Sequence, residues 1–270
     1  MEYVVDQNYF RKDDLKNLVN NSSNRFIVTD SALLEMSKSE QWESTIRASL
    51  KTISEIPDQV DFIISIDEAM AFENSNNRAI TKNDLVREDY NAFFKGLLGE
   101  IKRQEFGTSF TLLKSKLSAN VDVFRSGILN HQQCKLTFGG LIERIKDDIN
   151  PDFKNALVKK QITDDALNQE IRSLVPAAFT KYFSEMGYAG SKANDFVNEN
   201  PINARYLYVC LLRAFKWISN GGFEGYKPEK VTNELLDNSY VILGSYFDGI
   251  LSYEKSVQNL HFNLKKVLEA

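Results

Sequence analysis

The sequence predicts an α/β protein with a parallel central sheet and a large all-α insertion. Three observations lead there. Short apolar runs of strand length lie at both ends of the chain, in Tyr3-Val4-Val5, Phe26-Ile27-Val28, Val60 to Ile66 and Gly249 to Ser252. Helical spacings separate the first three, and the order strand, helix, strand, helix, helix, strand suggests right-handed crossovers and parallel pairing. The middle of the chain, by contrast, reads as helix after helix. A chain of 270 residues is near the upper limit for one hydrophobic core, so one large domain or a core with an insertion is expected.

Tyr3-Val4-Val5 forms the first strand and ends at Asp6, with Asn8 two residues on and a helix expected from about Tyr9 to Val19. Asn20 to Asn24 is a polar turn. Phe26-Ile27-Val28 is the second strand, and either Asp30 or Ser31 can cap the helix that follows, which carries Leu33, Leu34 and Glu35. A further helix spans Ser39 to Ile56 and stops before Pro57; Val60 to Ile66 is then a third strand.

Glu73 to Arg78 reads as a polar linker. Thr81-Lys82-Asn83-Asp84 resembles a capping box and opens a helix to about Glu105. Gly107-Thr108-Ser109 breaks it, another helix runs to about Phe124, and 127–140 looks irregular. Asn150-Pro151 gives a cap and a first-turn proline. Thr163-Asp164-Asp165 starts a helix bent near Pro176 and stopped at Gly187. Asn200-Pro201 starts a long apolar helix through Trp217, ended by Asn220-Gly221-Gly222. No fixed repeat period is present. These signals divide the chain into a core in two parts, 1–74 and 201–270, around a helical insertion, 75–200.

The stretch from Asn233 to Lys255 closes the core. Leu236, Tyr240, Val241 and Leu243 share a buried helical side, while Asn233 and Asp237, four apart, stack on the opposite stripe. Ser245 to Gly249 is a turn containing Asp248, Gly249 to Ser252 a short buried strand, and Glu254-Lys255 opens a last helix to about Leu268.

The net charge of -4 argues against a protein that coats nucleic acid by bulk positive potential, though not against a local basic groove. Cys134 and Cys210 sit in no CxxC pattern and far from His131 and His261, so free thiols in a reducing compartment are expected, without zinc. The first residues carry neither a basic n-region nor an apolar h-region, and no run approaches the ~20 apolar residues of a spanning helix. The expectation is a cytoplasmic protein with no membrane partner.

Four acids stand out by their place at strand ends or on helices beside them: Asp6, Glu35, Asp237 and Glu254. In open α/β sheets, sites lie at the carboxyl ends of strands. Carboxylates crowded there repel by roughly 4 kcal/mol per pair at about 4 Å with an effective dielectric near 20. Such a cluster needs a divalent cation or strong pKa shifts, and hard oxygen ligands suit Mg2+ or Mn2+. Read singly, Asp6 can cap the helix after it, Glu35 can be a solvated helix residue, and Asp248 can be either an acid that supports the site from behind or an ordinary loop residue. Asp67 and Glu68 follow the third strand and can approach the same edge.

The residues Val4-Val5-Asp6-Gln7-Asn8, Ala32-Leu33-Leu34-Glu35, Asn233 to Asp237 and Ser252-Tyr253-Glu254-Lys255 together resemble the PIN-domain nucleases. The resemblance covers about 1–72 and 202–268, each motif short and their order the informative part. It implies a three-layer α/β/α core. It also implies a site in which Asp6, Glu35, Asp237 and Glu254 are the catalytic and metal-holding acids, supported by Asn8, Asn233 and the Ser252 hydroxyl. Glu254 stands where the family more often has Asp. The implied activity is metal-dependent hydrolysis of phosphodiester bonds, in single-stranded or looped RNA more than in DNA, with a toxin, defence or RNA-processing role. A non-catalytic PIN-like scaffold is the competing class. A phosphatase of the haloacid dehalogenase type would need Asp-x-Asp after the first strand, where Asn8 stands instead.

About the insertion the resemblance says nothing. Its basic residues Lys102, Arg103, Lys114, Lys116, Arg125, Arg144, Lys159, Lys160 and Arg172 are interleaved with Phe94, Phe106, Phe110 and Phe138. That pattern fits a solvated face over a helical core, a groove guiding a single strand, or a surface for a protein partner or inhibitor.

Overall fold

The computed structural model describes residues 1–38, 40–126, 130–185 and 197–269. Four strands form one parallel sheet in the order β3-β2-β1-β4: β1 Glu2–Val5, β2 Arg25–Val28, β3 Val60–Phe62 and β4 Gly249–Leu251. Val4 faces Ile27 on one side and Ile250 on the other, so the first and last strands pair as expected although 243 residues lie between Val5 and Gly249 in the chain. Val4, Val5, Phe26, Ile27 and Val28 are fully buried, the pattern of parallel strands covered on both faces. β4 is half-buried, whereas β3, the other edge strand, is buried throughout.

From β1 the chain passes a 3-10 turn, Gln7–Tyr9, into α1, Asp13–Val19, which therefore starts later than its spacing suggested. After β2 comes α2, Asp30–Met36, capped by Thr29 rather than Asp30 or Ser31: the Thr29 hydroxyl accepts the Ala32 N–H at 3.2 Å. α3 covers Trp42–Leu50, shorter than expected, with 3-10 turns at Ile53–Glu55 and Pro57–Gln59 before β3. β3 ends at Phe62, where the chain leaves the sheet: Ile63 bridges Val86 and the Ile64 N–H reaches the Leu85 carbonyl at 3.1 Å.

The segment read as a linker is helical, in α4, Ile66–Asn76. The Thr81–Asp84 capping box forms, but it opens only the short α5, Lys82–Leu85; α6, Glu88–Arg103, is a new helix. α7 runs Thr108–Ser126, its first turn held by the Glu100 carboxylate, which accepts the Ser109 and Phe110 N–H groups at 2.8 Å each. α8, His131–Asp148, occupies most of the stretch read as irregular. α9, Pro151–Val158, is capped by Asn150 as expected, and α10 spans Asp164–Glu185 with Pro176 inside it; the expected stop at Gly187 lies outside the described residues. α11 is Ile202–Ser219, α12 Pro228–Gly244 and α13 Lys255–Glu269. Among the described residues of 82–199 none belongs to a strand, in keeping with an all-α middle.

Two compact units result. The sheet unit holds 1–72, 80–123 and 239–261; the helical unit holds 73–79, 124–238 and 262–270. The boundaries read from sequence thus differ: 80–123 falls with the sheet, where α6 packs on β3 and α3, and 201–238 falls with the helices, where α11 packs on α8, α9 and α10. Four of the five divisions cut through helices, α4, α7, α12 and α13; the fifth, between 79 and 80, falls in the turn joining α4 to α5.

In the sheet unit Arg25 on β2 and Asp61 on β3 form a pair, Nε to Oδ2 2.9 Å and Nη2 to Oδ2 2.5 Å, that satisfies the one acid in a buried strand. In the helical unit the buried Glu73 carboxylate accepts the N–H groups of Ile202 at 2.7 Å and Asn203 at 3.2 Å, and so serves as the N-terminal anion of α11. No described helix is long and apolar enough to cross a membrane.

Candidate active site

The strand order places β2 on one side of β1 and β4 on the other, so β1 and β4 flank the point where the winding reverses. Crevices outside the carboxyl ends of strands at such a point are where open α/β sheets bind ligands. Asp6 and Ser252 are the first residues past those two strands. The ladder runs on into Asp6, whose N–H donates to the Leu251 carbonyl at 2.9 Å, and this fixes the carboxylate at the sheet end.

Asp6 is 2% exposed. The buried Ser252 hydroxyl donates to its Oδ2 at 2.6 Å, and the Asn8 N–H reaches Oδ1 at 3.4 Å. Asp6 therefore also caps the 3-10 turn after it, so its cap role and its place at the sheet end coincide. Ser252 in turn accepts the Glu254 N–H at 3.1 Å, and the Gln258 amide donates to the Ser252 carbonyl at 2.6 Å. Glu254 is exposed, and its Oε1 accepts the Asn8 side-chain amide at 3.2 Å. Asn8 and Ser252 thus each touch both Asp6 and Glu254.

Glu35 comes from the last turn of α2, which β2 aims at the same end of the sheet. Its Oε2 accepts the hydroxyl of the fully buried Tyr240 at 3.2 Å, and its Oε1 lies 3.8 Å from Lys38 Nζ. Burial pushes the Glu35 carboxyl up to about 7; Lys38 counters this, and the charges of Asp6 and Glu254 add to it. Burial also raises Asp6, against the Ser252 and Asn8 hydrogen bonds, with Glu254 adding to the rise. The Tyr240 hydroxyl is raised well above its ordinary value by burial and by the charges of Glu35 and Asp6. Asp6, Glu35 and Glu254 are therefore one electrostatic group.

Asp237 belongs to the helical unit. It is buried on α12, with Oδ2 3.7 Å from Arg213 Nη2. Arg213 is 1% exposed, lies 3.2 Å from Glu234 Oε2 through Nη1, and donates from Nε to Asn238 Oδ1 at 3.0 Å. Trp217 Nε1 adds a bond to Glu234 Oε2 at 3.0 Å. Asn233 does not share this environment: it is exposed, because the stripe it was expected to share with Asp237 turns from solvent to core within one turn of helix. Asp248 is corrected as well. Its Oδ2 accepts the Glu2 N–H at 2.8 Å, which puts it at the start of β1, the opposite end of the sheet from Asp6.

A second acidic group stands at the ends of β2 and β3. Asp30 is raised to about 6 by burial and by the charges of Asp67 and Glu68, the Ser31 N–H opposing this at 2.7 Å. Sequence reasoning had treated Asp30 as a cap, and it missed Tyr240, Lys38 and Arg213. Tyr240 and Arg213 sit in apolar helical patterns that give no sign of a polar partner.

The donor set suits a hard cation in type. Each Asp6 oxygen accepts one bond and keeps a second lone pair, and Glu35 and Glu254 add carboxylate oxygens of the same kind. Among the described residues no three His, Cys, Asp or Glu side chains are already arranged to hold a metal ion. Carboxylate oxygens are hard donors, of the kind Mg2+ takes in preference to the nitrogen and sulfur donors typical of zinc. No family model matches the chain, and neither does any curated protein or solved structure.

Proposed function

We propose that the chain is a metal-dependent nuclease of PIN-like architecture that hydrolyses phosphodiester bonds, in single-stranded or looped RNA ahead of DNA. The observation that carries this reading is the meeting of three acids from distant stretches, Asp6, Glu35 and Glu254, where β1 and β4 flank the winding reversal, with Asp6 and Glu35 both pushed up. Burying carboxylates with so little cationic compensation costs stability, and such sites are kept where charge is to be used.

Asp6 and Glu254 are the residues that would hold a Mg2+ or Mn2+ ion, with Glu35 within their field. The ion, when bound, supplies charge neutralisation at the phosphoryl oxygens and a more acidic water. Ser252 fixes the Asp6 rotamer and Asn8 that of Glu254. Glu35, with its carboxyl near 7, is matched to accept a proton from a water at neutral pH, and Tyr240 orients it.

One observation favours the alternative of a catalytically weak scaffold. Asp237, the acid that the resemblance would make a ligand, is paired with Arg213. A single experiment separates the two. Purified protein is incubated with single-stranded RNA and Mg2+ or Mn2+, with a chelator and Asp6→Asn as paired controls. The nuclease reading expects cleavage that both controls abolish, with Glu35→Gln lowering the rate by about 10²–10⁴. Cleavage that survives both controls sinks the metal mechanism, and tight metal binding without cleavage supports the scaffold.

A further inference from the structure

Beside the acids, on the outer side of Asn8 and Glu254, lies a cleft of about 410 Å³ lined by Gln7, Asn8, Arg11, Lys12, Tyr253 and Glu254. All six belong to the sheet unit. We infer that this cleft binds one unstacked nucleotide of a single-stranded nucleic acid, with phosphate on Arg11 and Lys12 and a base on Tyr253. The inference rests on the nuclease reading for its biological sense, but its chemistry stands apart from the metal.

Charge comes first. Arg11 and Lys12 form no ion pair among the described residues. Arg11 is nevertheless held in place, because Nε donates to Ser49 Oγ at 2.9 Å and Nη2 to the Thr45 carbonyl at 3.3 Å. Those acceptors are neutral, so the guanidinium charge is oriented but not cancelled, as a phosphate site needs. Of the acids nearby, Asp13 is neutralised by Lys16 at 2.8 Å. Asp14 and Glu254 keep their charge and are only turned by neutral donors, the Tyr253 hydroxyl and the Asn8 amide, so the two cations face one carboxylate of the cleft wall.

The aromatic pair supplies the second half. Tyr9 and Tyr253 stack with ring centroids 5.1 Å apart and planes 30° from parallel. Tyr253 is 46% exposed, an unusual state for a ring anchored both by stacking and through its hydroxyl. Lys12 Nζ lies 4.9 Å from the Tyr253 centroid. A phosphate that draws this ammonium aside gains an ion pair and opens the ring to a base. Base on aromatic, with phosphate on flanking cations, is the contact set of sequence-tolerant single-strand binding. A duplex, whose bases are already stacked, cannot offer it.

The test is fluorescence anisotropy with a labelled oligouridylate of about twelve nucleotides, a span within single-strand site sizes, in EDTA so that neither metal nor cleavage enters. The single strand should bind at least tenfold tighter than a duplex of equal length. Replacing both Arg11→Gln and Lys12→Gln should weaken it about tenfold and reduce the log–log salt slope by about 1.4, at roughly 0.7 per phosphate contact. Arg11→Lys, which keeps the charge, should retain most of the affinity, and thermal melting checks that each variant folds. Tyr253→Leu should weaken binding severalfold with the salt slope unchanged. Wild-type affinity in the charge and ring variants alike overturns the inference. So does a Tyr253→Leu protein that binds like wild type while heparin competes as well as RNA, since the surface then reads charge alone. Loss of binding in these variants with no cleavage under any metal would uphold the cleft and sink the nuclease; cleavage by the wild type with an unchanged KM in the variants would do the reverse.

Discussion

In the sheet unit Asp6 and Glu35 are buried with a serine hydroxyl, a tyrosine hydroxyl and a backbone amide for partners, and Lys38 stands 3.8 Å from Glu35. In the helical unit Glu234 and Asp237 are buried against the guanidinium of Arg213 and the Trp217 N–H, and Glu73 against the amides that begin α11. Burial is similar and compensation is not. A buried carboxylate must find a positive partner or give up its charge. The helical unit supplies the partner from its own chain. The sheet unit does the same for Asp61, which Arg25 pairs, but leaves Asp6 and Glu35 with mostly neutral partners at the place where an open α/β sheet receives ligands. Acid content alone would not separate the two groups; what surrounds each acid does.

The largest effect should come from removing the built-in partner. Arg213→Met strands Glu234 and Asp237 in the core, and breaking such a buried pair costs about 3–5 kcal/mol. Urea denaturation measures it, and adding Glu234→Gln and Asp237→Asn to the same protein should restore much of the loss. A cost under about 1 kcal/mol for Arg213→Met would erase the contrast between the units.

A pH dependence follows from the uncompensated side. Folded Glu35 keeps its proton up to about pH 7, whereas the unfolded chain releases it near 4.5. Between those values the folded state binds more protons, so stability falls as pH rises. The shift costs about 3 kcal/mol of stability at most, a penalty felt in full above the folded pKa and absent below the unfolded one. Asp30, raised to about 6, acts in the same direction over a lower window. Metal-free unfolding curves from pH 4.5 to 8 should show the decline, and Glu35→Gln should flatten the part above pH 6.

How much of this was legible in the sequence depended on how local the signal was. The strands showed because Val4-Val5 and Phe26-Ile27-Val28 are apolar runs closed by polar residues, and Asp6, Asn8 and Ser252 showed because they stand directly after strands. Partnership across the chain left no such mark. Tyr240 reads as one more core residue, and Arg213 as an interruption of an apolar helix; only folding reveals that one meets Glu35 and the other Asp237. The unit boundaries were hidden for a related reason, since four of the five fall inside continuous helices where the local pattern does not change. Glu73 was misread because a buried helix-capping carboxylate and a linker acid look alike until Ile202 arrives beside it.

Smaller effects sharpen the comparison. Asp6→Asn keeps the shape, a contact to Ser252 and an acceptor for the Asn8 N–H while removing a buried charge, so metal-free stability should rise. Asn233→Ala, on the exposed side of the helix that buries Asp237, should change stability by less than about 0.5 kcal/mol and leave any activity unaltered. A large effect there would return Asn233 to the site.

The central claim is that the acids at the end of β1 lack a cation that solution can supply. Its most direct measurement is the unfolding midpoint of wild type and Asp6→Asn at pH 7.5, each with and without Mn2+. Binding to the folded state alone stabilises by about 2.7 kcal/mol at a hundredfold excess over Kd. The expected result is a midpoint that rises with Mn2+ in the wild type and stays fixed in Asp6→Asn, leaving the variant the more stable protein only when the metal is withheld. A wild-type midpoint indifferent to Mn2+, or equal shifts in both proteins, would contradict the account.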